Sequence, residues 1–219
     1  MVARNESLAL RVSEIFYSLQ GEASRVGLPT VFVRLTGCPL RCSWCDTAHA
    51  FTGGARMSPD AILDRVAEFG TRHVCVTGGE PLAQVACLQL LTALCDAGYD
   101  VSLETSGALD VSGVDPRVSR ILDLKAPSSG ETEKNLWTNL ACLTVADEIK
   151  FVVADRQDYE WTRQVIRDNR LEEVCPLLVS PVQGAIDPQM LAEWVLADRL
   201  PVRFQLQLHK LLWGNMQGK

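Results

Sequence analysis

Apolar residues recur along this chain with two periods, and the period switches repeatedly. Thr30-Val31-Phe32-Val33-Arg34-Leu35 is a short β-rich run that stops at Gly37. Over 59–69 the apolar residues fall at 62, 63, 66 and 69, the spacing of one helical face, with Ser58 placed as an N-cap. A second strand is expected over 73–77, broken by Gly78-Gly79, then a helix over 83–97 with Gly98 positioned to end it. Further strands are expected at 100–104, 120–125, 148–153, 176–179 and 202–208, and helices at 133–143, 156–170 and 188–198. Asp187 before Pro188 forms an N-cap and N1 pair. Residues 14–22 read as an amphipathic strand and turn.

Strands alternating with helices imply a parallel sheet with right-handed crossovers. An open sheet gathers its ligand groups at one switch point, whereas a barrel spreads them over many strand ends. Here polar and glycine-rich punctuation follows strand after strand: Gly37-Cys38, Thr77-Gly78-Gly79-Glu80, Glu104-Thr105-Ser106-Gly107, Lys125 and Ser180. Six or seven strands are too few for eight β/α units. The expected fold is therefore α/β, a partial (β/α) barrel with about six parallel strands, in a single domain over 1–219. No internal repeat or linker interrupts it, and 107–116 and 126–132 are its loosest loops.

Composition changes this picture little. At 47% hydrophobic and 22% charged residues, the 219-residue chain is ordinary globular protein. Its 21 basic and 27 acidic residues give a net charge of −6 with no basic cluster, which argues against nucleic acid as a partner. Met1-Val2-Ala3-Arg4-Asn5-Glu6 lacks the apolar core of a signal peptide. No run of about 18 apolar residues exists to span a membrane. A cytoplasmic protein is expected.

The eight cysteines are unevenly placed. Cys75, Cys87, Cys95, Cys142 and Cys175 stand singly among apolar neighbours and are assigned to the core. Cys38, Cys42 and Cys45 fall together in the loop Gly37-Cys38-Pro39-Leu40-Arg41-Cys42-Ser43-Trp44-Cys45-Asp46. Three thiolates suit one face of an iron–sulfur cluster and leave one iron open for inner-sphere chemistry. Two other readings stand beside this on the cysteines alone. His49 would complete a Cys₃His zinc site, and Cys42-Ser43-Trp44-Cys45 has the spacing of a thiol–disulfide motif.

The Cys38-x₃-Cys42-x₂-Cys45 run, with an aromatic before its last cysteine, resembles the signature of the radical S-adenosylmethionine (SAM) superfamily. Thr77-Gly78-Gly79-Glu80-Pro81 resembles that superfamily's GGEP motif, and Glu104-Thr105-Ser106-Gly107 its ribose-contacting segment. The resemblance narrows with Glu14-Ile15-Phe16-Tyr17-Ser18-Leu19-Gln20-Gly21-Glu22, Phe32-Val33-Arg34-Leu35-Thr36-Gly37-Cys38-Pro39, Cys45-Asp46-Thr47, Asp123-Leu124-Lys125 and Gln207-Leu208-His209-Lys210. Together these cover nearly the whole chain and are similar to the 7-carboxy-7-deazaguanine synthase family.

That resemblance implies a radical SAM lyase. Its substrate is the pterin 6-carboxy-5,6,7,8-tetrahydropterin, and ammonia is lost on the way to queuosine and other 7-deazapurines. It implies a [4Fe–4S] cluster on Cys38, Cys42 and Cys45, S-adenosyl-L-methionine, and Mg²⁺ on Thr47. Substrate contacts would come from Leu19, Gln20, Gly21, Arg34, Thr77 and His209, with the Arg34 fork suited to a carboxylate. Cofactor contacts would come from Trp44, Cys45, Asp46, Gly79, Glu80, Ser106, Lys125 and Ser180. His49 is left as a structural residue. The resemblance also implies a flavodoxin-like external electron donor and a homodimer. The tail after Lys210 departs from the family in length and sequence. A glycyl-radical-enzyme activating protein shares the cysteine spacing and is the principal enzymatic alternative; a zinc-stabilised binding module is the non-enzymatic one.

Overall fold

In the computed structural model, residues 9–214 and 216–219 are described. The signal-peptide expectation for 1–6 lies outside the described residues. One nine-stranded sheet runs through the rest, in the order β3-β1-β2-β4-β5-β6-β7-β8-β9. The strands are β1 (Leu10–Leu19), β2 (Pro29–Leu35), β3 (Ala55–Met57), β4 (His73–Gly78), β5 (Asp100–Thr105), β6 (Ser119–Leu124), β7 (Glu148–Val153), β8 (Leu177–Pro181) and β9 (Arg203–Phe204). From β2 to β9 all neighbours pair in parallel; β1 and β3 add an antiparallel edge. The helices are α1 (Pro59–Ala67), α2 (Cys87–Asp96), α3 (Arg156–Asn169), α4 (Pro188–Ala197) and α5 (Leu208–Trp213).

Alternate strand residues divide between two faces. Val31, Val33 and Leu35, Val74 and Val76, Val101 and Leu103, Leu122 and Leu124, Ile149, Phe151 and Val153, and Leu177 and Val179 all join one buried core with Ile62, Leu90, Leu94, Ile166 and Leu191 of the helices. The residues between them, among them Arg34, Thr77, Glu104, Asp123 and Lys150, face a cavity on the opposite side. The sheet curls around that polar side as a partial barrel. Its ends do not pair with each other. Instead the loop from β1 to β2 bridges the opening: Ala23 and the Gln205 amide exchange hydrogen bonds of 2.7 and 3.1 Å, and Leu208 N donates to Gly21 O at 2.9 Å. The same loop reaches under β5 through Arg25 and Asp100 (2.5 Å), and under β7 through Ser24 N and Glu148 (3.0 Å).

The helix caps follow the sequence. Ser58 accepts from Ala61 N, Asp187 from Gln189 N, and Gly98 ends α2 at φ +85°. Cys75, Cys87 and Cys175 are buried, and Cys95 and Cys142 pack partly buried against the core.

Four expectations are corrected. The strand β3 and the full length of β1 extend the sheet beyond the parallel set. The expected helix over 83–97 begins only at Cys87, because Pro81–Ala83 forms a tight turn first. The expected helix over 133–143 is two 3₁₀ segments, Thr132–Lys134 and Trp137–Cys142. Asn135 is bound to both the N–H and the C=O of Lys125, and Asn139 to Gly107 O, Leu109 O and Val111 N, so these side chains serve neighbouring loops instead of a helix. The last strand shrinks to Arg203–Phe204, since Gln205 and Leu208 leave the sheet to hold the bridging loop.

The base of β6 and β7 is stapled by a buried pair. Arg120 donates to Asp147 through Nε (2.9 Å) and Nη2 (2.6 Å), and Asp147 also accepts from Thr144. Removing one partner strands the other charge, so Arg120→Met should cost about 3 kcal/mol. Denaturant unfolding of the cluster-free protein checks this; a loss below about 1 kcal/mol would mean that Asp147 is satisfied without the arginine.

Candidate active site

The inward rows of the sheet enclose a cavity of about 860 Å³, at the upper end of the range for small-molecule sites. Cys38, Cys42 and Cys45 line it and are free thiols. They sit on a loop with little regular structure, so other segments must hold it. Arg41 Nη1 donates to the carbonyls of Cys38 (2.8 Å) and Leu40 (2.6 Å), and its guanidinium lies 4.2 Å from the centre of the Phe51 ring. Arg41 N donates to Glu131 (2.6 Å), Ser43 N to Ser129 O (3.1 Å) and Ser43 Oγ to Ser128 O (2.7 Å).

The turn after β4 packs against the same loop. Glu80 N donates to Gly37 O at 2.7 Å, and a Cβ on Gly79 would stand 2.3 Å from Gly37 O and 2.8 Å from Cys38 Cβ. Glycine at 79 is thus required by the cysteine loop itself. Burial raises the thiols of Cys38 and Cys42 above their ordinary value. Such thiols become ligands when a metal centre displaces their protons. Among the described residues no three His, Cys, Asp or Glu side chains are grouped to hold a single metal ion. A cluster several ångströms across takes its thiolates further apart than one zinc ion does.

Of the residues singled out in the sequence, Leu19, Gln20, Gly21, Arg34, Trp44, Asp46, Thr47, Thr77, Gly79, Ser106, Lys125 and His209 line this cavity with the cysteines. Glu80 and Ser180 do not. Glu80 is fully buried; its carboxylate accepts from Leu82 N (3.0 Å), Thr105 Oγ1 (2.9 Å) and the N–H (2.7 Å) and hydroxyl of Ser106 (2.5 Å). It fastens the turn to the end of β5 and has no oxygen turned to the cavity. Ser180 points inward from β8 but is 1% exposed and closed off from the cavity surface.

The cavity floor is ionic. Lys150 Nζ lies 2.6 Å from Glu22 and 3.3 Å from Asp123, and Asp123 lies 3.2 Å from Lys125. Gln207 donates to Glu22 at 2.6 Å. Burial works against every one of these charges, yet Lys150 holds Glu22 below the usual carboxylate value and Lys125 does the same for Asp123. Glu22 and Asp123 in turn raise Lys150 well above an ordinary lysine. Beside this row, Glu104 accepts from Thr77 Oγ1 (3.0 Å) and Gln20 Nε2 (3.2 Å). Arg34 Nε donates to Glu14 at 2.7 Å, and His49 Nε2 lies 3.4 Å from the same Glu14 oxygen, so His49 too is a wall residue of the cavity.

At the mouth, Asp46 pairs with Lys210 at 2.8 Å. Burial opposes the Asp46 charge, but Lys210 keeps its carboxyl below the ordinary value. His209 lies against Gly21, where a Cβ would come 2.1 Å from its Nδ1. Gly214 and the last four residues, Met216, Gln217, Gly218 and Lys219, also border the cavity.

With this geometry the comparisons agree. Residues 32–170 match the Radical SAM superfamily model. The 7-carboxy-7-deazaguanine synthase of Chlorobaculum tepidum is 49% identical over 208 residues, covering 94% of this chain and 94% of that protein. This chain belongs to the 7-carboxy-7-deazaguanine synthase family of radical SAM enzymes. Another relative of that name, from Koribacter versatilis, is 43% identical and covers 93% of this chain and 97% of its own length. The crystal structure of QueE from Escherichia coli superposes with a TM-score of 0.76 at 25% identity, covering 94% of this chain and all of that one. Radical SAM enzymes use a [4Fe–4S] cluster and S-adenosylmethionine. The three free thiols lining a cavity this large fit such a cluster and its cofactor.

Within this family site, sequence reading did not single out Glu14, Phe16, Glu22, Phe32, Asp123, Lys150 and Gln207 as wall residues. A signal was present in β7, where Glu148 and Lys150 alternate with Ile149, Phe151 and Val153. A lysine at an inward position of a parallel strand marks a polar interior.

His209 yields a pH prediction. Burial lowers its imidazole below the ordinary 6.5. The unfolded chain therefore binds this proton at a higher pH than the folded chain does. Stability from the neutral ring is complete above 6.5 and falls as pH drops below that value. Thermal melts of the cluster-free protein between pH 7.5 and 5.5 should lose less stability in His209→Gln than in the parent; equal losses would show that the ring takes up its proton at the same pH in the folded and unfolded chain.

Proposed function

We propose that this chain is a 7-carboxy-7-deazaguanine synthase, converting 6-carboxy-5,6,7,8-tetrahydropterin to 7-carboxy-7-deazaguanine with loss of ammonia, within the route to queuosine and other 7-deazapurines. The observation that carries the reading is one cavity lined by three thiols together with an arginine, a glutamine and a histidine. The cluster and S-adenosylmethionine, when bound, supply one-electron cleavage of a carbon–sulfur bond and so a 5′-deoxyadenosyl radical.

Cys38, Cys42 and Cys45 hold the cluster. Trp44, Asp46, Gly79, Ser106 and Lys125 border the cofactor, Lys125 offering charge where a carboxylate needs it. Arg34 pairs with the substrate carboxylate. Leu19, Gln20 and Gly21 present backbone and amide groups to the pterin edge, and Thr77 and His209 flank them. Thr47 is one ligand of a Mg²⁺ ion that completes its shell with substrate and water. Glu80 acts behind the site by fixing Ser106 and the glycine turn. A flavodoxin-like donor supplies the electron, and the enzyme is a cytoplasmic homodimer with one catalytic domain per chain. No helix among the described residues is long and apolar enough to cross a membrane.

Anaerobic reconstitution should load about four irons per chain, and the reduced enzyme with cofactor, Mg²⁺ and 6-carboxytetrahydropterin should form a deazapurine. Absence of that product at every Mg²⁺ concentration, with cofactor cleavage intact, would reassign the substrate. Cys42→Ala should lose the cluster and cofactor cleavage together. Arg34→Ala should keep the cluster but weaken substrate binding by about 1.5–3 kcal/mol, the range for a hydrogen bond to a charged group; unchanged affinity in a binding titration would remove Arg34 from the site.

A further inference from the structure

Strand β1 changes face part-way along. Leu10 and Val12 are buried in the apolar core on the helix side of the sheet. Residues two apart share a face, so an uninterrupted strand would send Glu14 into that core as well. The pairing with β2 shifts between them: Val12 stands opposite Leu35, but Glu14 stands opposite Arg34. Two steps on β1 answer one step on β2. This bulge turns Glu14, and Phe16 after it, into the cavity. Bulges re-aim side chains in this way beside active sites.

We infer that Glu14 is a positioning residue that aims the Arg34 guanidinium at a substrate carboxylate and so sets the preference for a carboxylated pterin. The inference rests on the reading of Arg34 given above. A guanidinium has one Nε–H and a fork of four Nη–H groups. Glu14 Oε1 takes the Nε–H at 2.7 Å, which leaves the fork, the edge that matches a carboxylate bidentately, for a ligand. The Phe16 ring centre lies 5.6 Å from the guanidinium carbon, and Phe16 is itself stacked on Phe32 at 5.0 Å. Glu14 is braced in turn by His49 at 3.4 Å. The Arg34 and Glu14 side chains are 15% and 23% exposed, so neither is free to wander in solvent. The arginine is thus held on one edge and along its face. Without Glu14, the fork would have to be ordered by the substrate alone, at the cost of side-chain entropy.

The rival explanation is a cross-strand ion pair that only fastens β1 to β2. The two separate in one experiment on the cluster-loaded full chain. The affinities of 6-carboxytetrahydropterin and of tetrahydropterin without the carboxylate are measured by calorimetric titration. In the parent the carboxylated ligand binds more tightly. Glu14→Gln keeps size and shape, and should lose on the order of tenfold affinity for the carboxylated ligand while binding the other as before. Glu14→Asp, which retains the acceptor charge, should recover part of that loss. Equal weakening of both ligands in Glu14→Gln, or no weakening of either, would overturn the inference. A parent that does not distinguish the two ligands would overturn the reading of Arg34 itself, and the inference with it.

Discussion

Lys150 occupies an inward position in the middle of a parallel strand, where a packed barrel would hold an apolar residue. Taking its charge out of water costs several kcal/mol unless partners offset it. Glu22 at 2.6 Å and Asp123 at 3.3 Å do so, and each carboxylate is engaged again, by Gln207 and by Lys125. The consequence is a hollow interior. An inner face of branched apolar residues would fill itself with interleaved side chains, as the centres of closed barrels do. A row of paired charges cannot interdigitate in that way, so the space between the walls persists for ligands.

The same pairing closes the fold. The strands stop short of a full circle, and the loop carrying Gln20, Gly21 and Glu22 crosses the gap to Gln205 and Leu208 while Glu22 reaches Lys150 in β7. The proposed substrate segment is therefore also the piece that bridges the two ends of the sheet. Gly21 must be glycine because His209 lies against it, and His209 is there because Leu208 N is bound to Gly21 O. The proposed substrate segment and the closure of the barrel are one structure, so a change at Gly21 would be felt in both.

Local periodicity was enough to find the parallel strands and four of the five helices, because each carries its own apolar stripe. It failed where the deciding contact comes from elsewhere in the chain. Nothing in Ala55–Met57 marks a strand until β1 is beside it. The helical pattern around 133–143 was real as a pattern, but Asn135 and Asn139 are drawn off to the backbone of Lys125 and of 107–111. The motif residues are brought to one cavity, apart from Glu80 and Ser180. Glu80 lies where the motif puts it, yet its oxygens are consumed by Thr105, Ser106 and Leu82. Lys150 has no motif; its meaning depends on Glu22, 128 residues away.

Arg34 and the cysteine loop are linked by a short, stiff path. Arg34 is the penultimate residue of β2, and Cys38 follows only four residues later, with the backbone between them pinned by Gly79 N to Leu35 O (3.1 Å), Thr36 N to Arg11 O (2.9 Å) and Gly37 N to Ala50 O (2.8 Å). Reaction at a substrate carbon needs the reacting groups held within fractions of an ångström. A cysteine loop on one element and a substrate anchor on another would have to keep that separation through packing alone. Here the cysteine loop and Arg34, the proposed substrate anchor, both hang from one strand, which is hydrogen-bonded on both sides, to β1 and to β4. The bulge in β1 then has a clear purpose in the architecture: it brings an acceptor to the arginine on that strand without disturbing the apolar face that anchors the strand in the core.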